Sequence, residues 1–186
     1  LESPDQLEQL GLSVYATIPL STGQRRADVM SRPRRGRRHR NAPYLLASAD
    51  PGDPAIEALR SLRTSLHFAM LESSNRIMLS SATPGAGKSF VAANLAAVLA
   101  SSGQRVLLVE TDMRRGRVGR SLGLERHAAG LSHYLSEQQE LQACIHATSI
   151  DGLDLIPAGK APPNPSELLM LPRMAELAEQ LSHQYD

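Results

Sequence analysis

Ser80-Ser81-Ala82-Thr83-Pro84-Gly85-Ala86-Gly87-Lys88-Ser89 decides how the rest of this chain reads. The apolar run Ile77-Met78-Leu79 before it has the composition of a short buried strand. The alanine-rich segment Phe90 to Ala100 after it has the length and spacing of a helix that stops at Gly103. Strand, glycine loop, Lys-Ser pair and helix in that order are the signature of a phosphate-binding loop.

Each residue type has a reason to be there. Amides must curl around phosphate oxygens, and Gly85 and Gly87 stand where a side chain would block approach or where φ turns positive. A helix opening at Lys88 aims its positive end at the anion. Lys88 supplies an ammonium for the β- and γ-phosphates, and the Ser89 hydroxyl suits Mg²⁺. One departure is visible: the first glycine of the G-x-x-x-x-G-K-[ST] pattern is Ala82. The alternative is an ordinary strand-turn-helix carrying a surface lysine.

The next apolar run, Arg105-Val106-Leu107-Leu108-Val109-Glu110-Thr111-Asp112, reads as a parallel-sheet strand with acids at its carboxyl end. Ligands of open α/β sheets bind beyond those ends, so Glu110 and Asp112 are expected beside the phosphates. Their spacing of two predicts one common side. There they could hold Mg²⁺ and accept a hydroxyl proton, or simply cap the strand. Arg114, Arg115, Arg117 and Arg120 follow as a cationic loop.

Upstream, Asp53-Pro54 is a helix start, with Asp53 as N-cap and Pro54 in the first position. Ile56, Leu59, Leu62, Leu66 and Met70 give that helix one apolar face through about Leu71. Glu57, Arg60 and Arg63 fall three apart on another face. They form either a solvated stripe or a surface for docking a neighbouring subunit.

The chain's start holds a short polar helix, Pro4 to Leu10, broken at Gly11, and a short strand Val14 to Ile18 stopped by Pro19. Pro43 to Asp53 is a loop. Beyond Arg120, Gly130 to Thr148 is a helical region in which neither His133 nor His146 has metal-ligand spacing. Leu153 to Pro157 is a strand. Asn164, Pro165 and Glu167 open a helix with a capping box, and Pro172 interrupts it before Met174, Leu177 and Leu181 restart the pattern. A sheet strand is expected after that helix, so the reading is of a fragment.

A chain of 186 residues that is 41% hydrophobic can bury one core, and with aromatics at 3% that core must be aliphatic. The lone Cys144 excludes an internal disulfide and reads as a small buried apolar residue. Net charge is +1, yet eight arginines lie between Arg25 and Arg40, against one acid, Asp28. That block reads as a solvated segment able to lie against anionic lipid, and without interleaved aromatics not as a nucleic-acid site. No apolar run approaches the roughly 20 residues needed to cross a bilayer.

Ala82 to Ser89, Val106 to Arg114, and Pro162-Pro163-Asn164-Pro165-Ser166-Glu167-Leu168-Leu169 occur in the order found in bacterial tyrosine kinases. The chain resembles that family over essentially its whole length, nearest to the proteobacterial Wzc-type autokinases of capsule and exopolysaccharide production. The resemblance implies an α/β, three-layer P-loop NTPase-like fold with a mainly parallel sheet, truncated before the Walker B strand. Residues 1–52 would be a juxtamembrane segment and basic linker, and 53–186 the N-terminal part of the kinase domain. Thr83, Pro84, Gly85, Ala86, Gly87, Lys88, Ser89 and Phe90 would bind ATP. Ser89 and Asp112 would hold Mg²⁺, with Lys88, Glu110 and Asp112 catalytic. Glu57, Arg60 and Arg63 match the family's E-x-x-R-x-x-R oligomerisation motif.

By the same resemblance the parent sits on the cytoplasmic face of the inner membrane, held by transmembrane helices outside this chain. It would assemble as a homo-oligomeric ring and work with polysaccharide polymerisation and export machinery and a cognate tyrosine phosphatase. Its substrate would be the tyrosines of its own tail. Two departures stand out: Glu110 replaces the usual first aspartate, and Arg117 stands where near relatives carry a regulatory tyrosine. Two rival readings are a MinD/ParA-like ATPase, disfavoured because Thr83 replaces its signature lysine, and a nucleotide-binding oligomerisation module without catalysis.

Overall fold

A computed structural model describes residues 4–30, 44–69, 74–116, 118–125 and 127–186, with side chains omitted at 27–30. Alternating apolar residues build its centre. Strand β1 (Val106–Val109) pairs in parallel with β3 (Leu153–Ile156), and β3 pairs antiparallel with the two-residue β2 (His146–Ala147), giving the order β1-β3-β2.

The period-two pattern sorts side chains onto two faces. Val106, Leu108, Leu153 and Leu155 pack with alanines 93, 96, 97 and 100 of helix α5 (Lys88–Ala100). Leu107, Val109 and Ile156 pack on the other face, against Leu131, Tyr134, Leu135, Leu141, Cys144, Leu177 and Leu181. The result is three layers, helix on sheet on helix. Small residues on α5 allow that helix to approach the sheet closely.

A third cluster joins α5 to helix α4 (Pro54–Ala69), through Leu95 and Val98 against Ile56 and Leu59, and to the one-turn helix α3 (Leu46–Ala49) through Leu46. Asp53 caps α4 as expected, its Oδ1 accepting from Ala55 N at 2.8 Å. Buried Asn94 ties α3 to α5: its Oδ1 accepts from Ala47 N at 2.8 Å and its Nδ2 donates to Phe90 O at 2.8 Å. Cys144 is fully buried, as its surroundings in the sequence suggest.

Several expectations are corrected. Ile77, Met78 and Leu79 form no strand and are 40%, 91% and 38% exposed. A strand needs a ladder partner, and the free edge of β1 is separated from this segment by a cleft of about 850 Å³ lined by Ile77, Leu79, Leu95, Leu99 and Leu107. Val14 to Ile18 is likewise unpaired, and only Ile18 of that run packs on the third cluster. The helical stretch 130–148 is divided into α7 (Leu131–Leu135), α8 (Leu141–Cys144) and β2. Helix α9 (Pro165–Leu169) starts where expected, but Asn164 donates to Glu167 Oε2 rather than capping a backbone amide. Helix α10 (Pro172–Ser182) restarts at Pro172.

Helices α1 (Pro4–Gln9) and α2 (Thr22–Met30) precede the core, and α2 takes in Arg25 and Arg26 of the arginine block. The expectations for Arg32 to Arg40, Met70, Leu71 and Arg117 lie outside the described residues. Among the described residues, no helix is long and apolar enough to cross a membrane.

Candidate functional site

Connection length fixes where the chemistry gathers. Helix α5 ends at Ala100 and β1 begins at Val106, so the helix folds back antiparallel on the strand. Thirteen helical residues rise about 20 Å, and extended chain from Val106 to Asp112 covers about the same distance. The start of α5 and the carboxyl end of β1 therefore share one rim of the molecule. The end of β3, parallel to β1, opens onto that rim too.

At the rim, Gly85 has φ +81° and Gly87 has φ +95°, conformations that L side chains rarely adopt. An added Cβ at either would meet nothing within 4 Å, so these glycines serve backbone shape rather than close packing. Gly87 precedes α5 directly, and no side chain caps the helix. First-turn amides without intrahelical partners are anion donors.

Lys88, the first residue of α5, turns back along the loop: its Nζ donates to Ser81 Oγ at 3.0 Å, and Ser81 Oγ donates to Thr83 O at 2.9 Å. Ser81 therefore holds the ammonium in place, a role the motif does not advertise. Thr83, Pro84, Gly85, Ala86 and Ser89 are exposed, whereas Phe90 is partly buried on the third cluster. Phe90 can thus offer a ligand its amide, while its ring serves the core.

The two acids have different surroundings. Glu110 is 8% exposed, and its oxygens accept from Val118 N at 2.8 Å and Ala158 N at 3.4 Å. Asp112 is exposed at the centre of a turn in which Met113 N donates to Thr111 O, and its Oδ1 accepts from Arg114 N at 3.2 Å and Arg115 N at 3.0 Å. Alternation holds as far as Glu110, which shares the α5 side with Val106 and Leu108. After that the chain turns, leaving one acid buried and the other in solvent. The sequence offered no sign of the Val118 and Ala158 amides that engage Glu110.

No group of three or more His, Cys, Asp or Glu side chains is placed to hold a metal among the described residues. The exposed Ser89 hydroxyl and Asp112 carboxylate are hard oxygen donors, a set that fits Mg²⁺ completed by phosphate oxygens and water. They do not fit a soft metal. On α4, Arg60 Nη1 pairs with Glu57 Oε1, both on the exposed side of the helix. Arg63 lines the cleft beside β1.

Residues 74–183 match the family described as AAA domain. The chain is 48% identical over 187 residues to the tyrosine-protein kinase wzc of Salmonella typhimurium, covering 100% of this chain and 26% of that protein. It thus spans about a quarter of the length of the curated relatives it matches. Among solved structures, the kinase domain of Escherichia coli tyrosine kinase ETK is similar at 46% identity and a TM-score of 0.86, over 100% of this chain and 71% of that one. The BceF tyrosine kinase domain matches at 43% identity and the same TM-score, over 100% of this chain and 73% of that one. Layers, phosphate-loop glycines and full-length similarity agree, and the chain belongs to the bacterial tyrosine kinase family.

Proposed function

We propose that this chain is the nucleotide-binding part of an ATP-dependent protein-tyrosine autokinase that regulates capsular or exopolysaccharide synthesis and export. One observation carries the reading: left-handed Gly87 delivers Lys88 and Ser89 as the first two residues of an uncapped helix, on the rim to which β1 brings Asp112. The α5 amides and Lys88 take the β- and γ-phosphates, and Ser89 with Asp112 takes Mg²⁺, which when bound neutralises charge on the phosphates.

A tyrosine hydroxyl oxygen bonds to the γ-phosphorus as the bond to the β,γ-bridging oxygen breaks. ADP leaves, and the hydroxyl proton passes to the exposed Asp112 carboxylate or to water. Lys88 moves off Ser81 to follow the γ-phosphate, since an ammonium on a flexible stem can exchange one oxygen partner for another. The tyrosines that accept phosphate belong to the parent's tail in a neighbouring subunit. Glu57, Arg60 and Arg63 join the subunits into a ring, which requires the Glu57–Arg60 pair within α4 to open toward the neighbour. Transmembrane helices of the parent place residues 53–186 at the cytoplasmic face of the inner membrane, with 1–52 leading to them as a segment whose Ile18 and Leu46 pack on the folded unit. Polysaccharide polymerisation and export machinery and a tyrosine phosphatase complete the partners.

Burial of Glu110 on backbone amides favours a second reading, a nucleotide-binding oligomerisation module that performs no transfer. The full-length parent, incubated with ATP and Mg²⁺ and probed for phosphotyrosine, separates the two. Autokinase activity gives a signal that Lys88→Met abolishes. ATP binding with no phosphotyrosine supports the module, and a signal surviving Lys88→Met overturns the assigned mechanism.

A further inference from the structure

We infer that Glu110 is a positioning residue: it ties residues 111–116 and the start of α6 to the sheet and acts on phosphoryl transfer through Asp112, without touching nucleotide, metal or hydroxyl. The effect on transfer rests on the autokinase reading. The tie itself stands on geometry alone.

Glu110 joins three element ends. Its own N–H donates to Ile156 O at 2.9 Å, at the last residue of β3. Its Oε1 accepts from Val118 N at 2.8 Å, the first residue of α6 (Val118–Ser121), and its Oε2 from Ala158 N at 3.4 Å, two residues past β3. The carboxylate therefore closes the loop from residue 110 to residue 118. Val118 is buried beneath it, in the α5-side core.

Gly116 covers this arrangement. A Cβ at that position would lie 2.8 Å from Ala158 Cβ, 3.0 Å from Asp112 O and 3.1 Å from Glu110 Cδ. The first distance is too short for a side chain without a shift and the other two are tight, and two of the three atoms belong to backbone or to a short, rigid residue. The loop thus lies directly on the Glu110 carboxyl, shutting it off from solvent. Asp112 hangs from the same loop, its orientation fixed by the Arg114 and Arg115 amides. Detaching Val118 would free the far end of the segment that aims Asp112 at the rim, while the near end stays tied through the Glu110 N–H to Ile156 O.

Side-chain length separates a tie from a reacting carboxylate. An aspartate at 110 keeps the charge but stops short by one carbon–carbon bond, ~1.5 Å. That stretches a 2.8 Å contact beyond hydrogen-bonding range. A glutamine keeps the length and an oxygen for Val118 N but loses the charge. A metal-binding or proton-accepting carboxylate would rank the two the other way, favouring aspartate.

The experiment compares full-length Glu110→Asp, Glu110→Gln and Gly116→Ala with the unsubstituted protein. It follows hydrogen exchange at the Val118 and Ala158 amides, ATP affinity and the rate of phosphotyrosine formation. Glu110→Asp should lower Val118 protection about ten- to a hundredfold, the range expected for losing a bond to a charged acceptor. Its transfer rate should fall about tenfold or more, with ATP affinity within about twofold of the unsubstituted protein. Glu110→Gln should keep Val118 protected and its rate within about threefold.

An inactive Glu110→Gln with Val118 still protected would overturn the inference and make the carboxylate a reacting group, as would an active Glu110→Asp. If Glu110→Asp does not fold, Gly116→Ala decides, because it displaces the loop from the carboxyl while keeping the charge and length of Glu110. A normal rate there overturns the inference. If even the unsubstituted protein transfers no phosphate, the autokinase reading fails, while the exchange pattern still decides the tie.

Discussion

Ser21 Oγ donates to Asp53 Oδ2 at 2.7 Å, joining two buried side chains 32 residues apart. Asp53 Oδ1 meanwhile caps α4 through Ala55 N. One carboxylate thus both starts the helix that carries Glu57, Arg60 and Arg63 and anchors the segment that leads into α2. Removing it uncovers a helix end and leaves a buried hydroxyl without its acceptor.

Asp53→Ala should therefore destabilise the fold by about 1–3 kcal/mol, combining a lost N-cap with a stranded polar group. Ser21→Ala should cost less, because Asp53 keeps its amide partner. Chemical denaturation of both singles and the double checks this. Additive losses would mean that the two side chains act independently.

Gly87→Ala forces an L side chain into a left-handed conformation with no steric neighbour to blame. Stability should fall by about 1–2 kcal/mol. ATP affinity, read by titration calorimetry, should fall further than that loss explains, because the amides of the cradle are re-aimed. Unchanged affinity would remove this glycine from the phosphate site.

Asn94 is 1% exposed and bonds both Ala47 N and Phe90 O. Asn94→Ala should cost about 2–3 kcal/mol, since it strands a backbone amide as well as losing two bonds. Asn94→Asp retains the acceptor for Ala47 but turns an oxygen toward the Phe90 carbonyl. Thermal melts should rank the asparagine above both variants.

Tyr185 donates from its hydroxyl to Asp154 Oδ2 at 2.9 Å. Burial first, then that bond and the Asp154 charge, push its pKa from 10.0 up to about 12. The fold thus favours the protonated phenol, so its stabilisation is complete below pH 10 and disappears as pH rises toward 12. Asp186 shifts the opposite way, its carboxyl held below the ordinary 3.8 by the Arg105 amide and guanidinium. Its contribution is present above that value and is lost as pH falls beneath it. Melting temperature against pH should lose part of its alkaline slope in Tyr185→Phe, since burial raises the Cys144 thiol too, and part of its acid slope in Asp186→Asn.

What the chain declares in its residues, and what it withholds, follows from range of interaction. Helix α5 and the strands Val106–Val109 and Leu153–Ile156 are legible because each carries a dense local apolar pattern that any packing would use. The glycine loop before α5 is legible because its left-handed turns call for Gly85 and Gly87 at closely spaced positions. Ile77 to Leu79 has the same apolar character as those strands but no partner across the cleft, and pairing is decided by distant chain. Strand β2 is two residues long and exists only through β3. Glu110 and Asp112 look equivalent by spacing. Their different surroundings come from Val118, Ala158 and Gly116, which no local pattern connects to them.

The fold-back of α5 on β1 also divides the molecule into a working end and a handling end. Ser101, Ser102 and Gly103 face solvent at the opposite pole, about 20 Å from the glycine cradle along the helix. With no tryptophan anywhere in the chain, a dye on a cysteine introduced at Ser102 would be the dominant optical label. Such a tag would travel with the α5–β1 unit while leaving every amide of the glycine loop untouched.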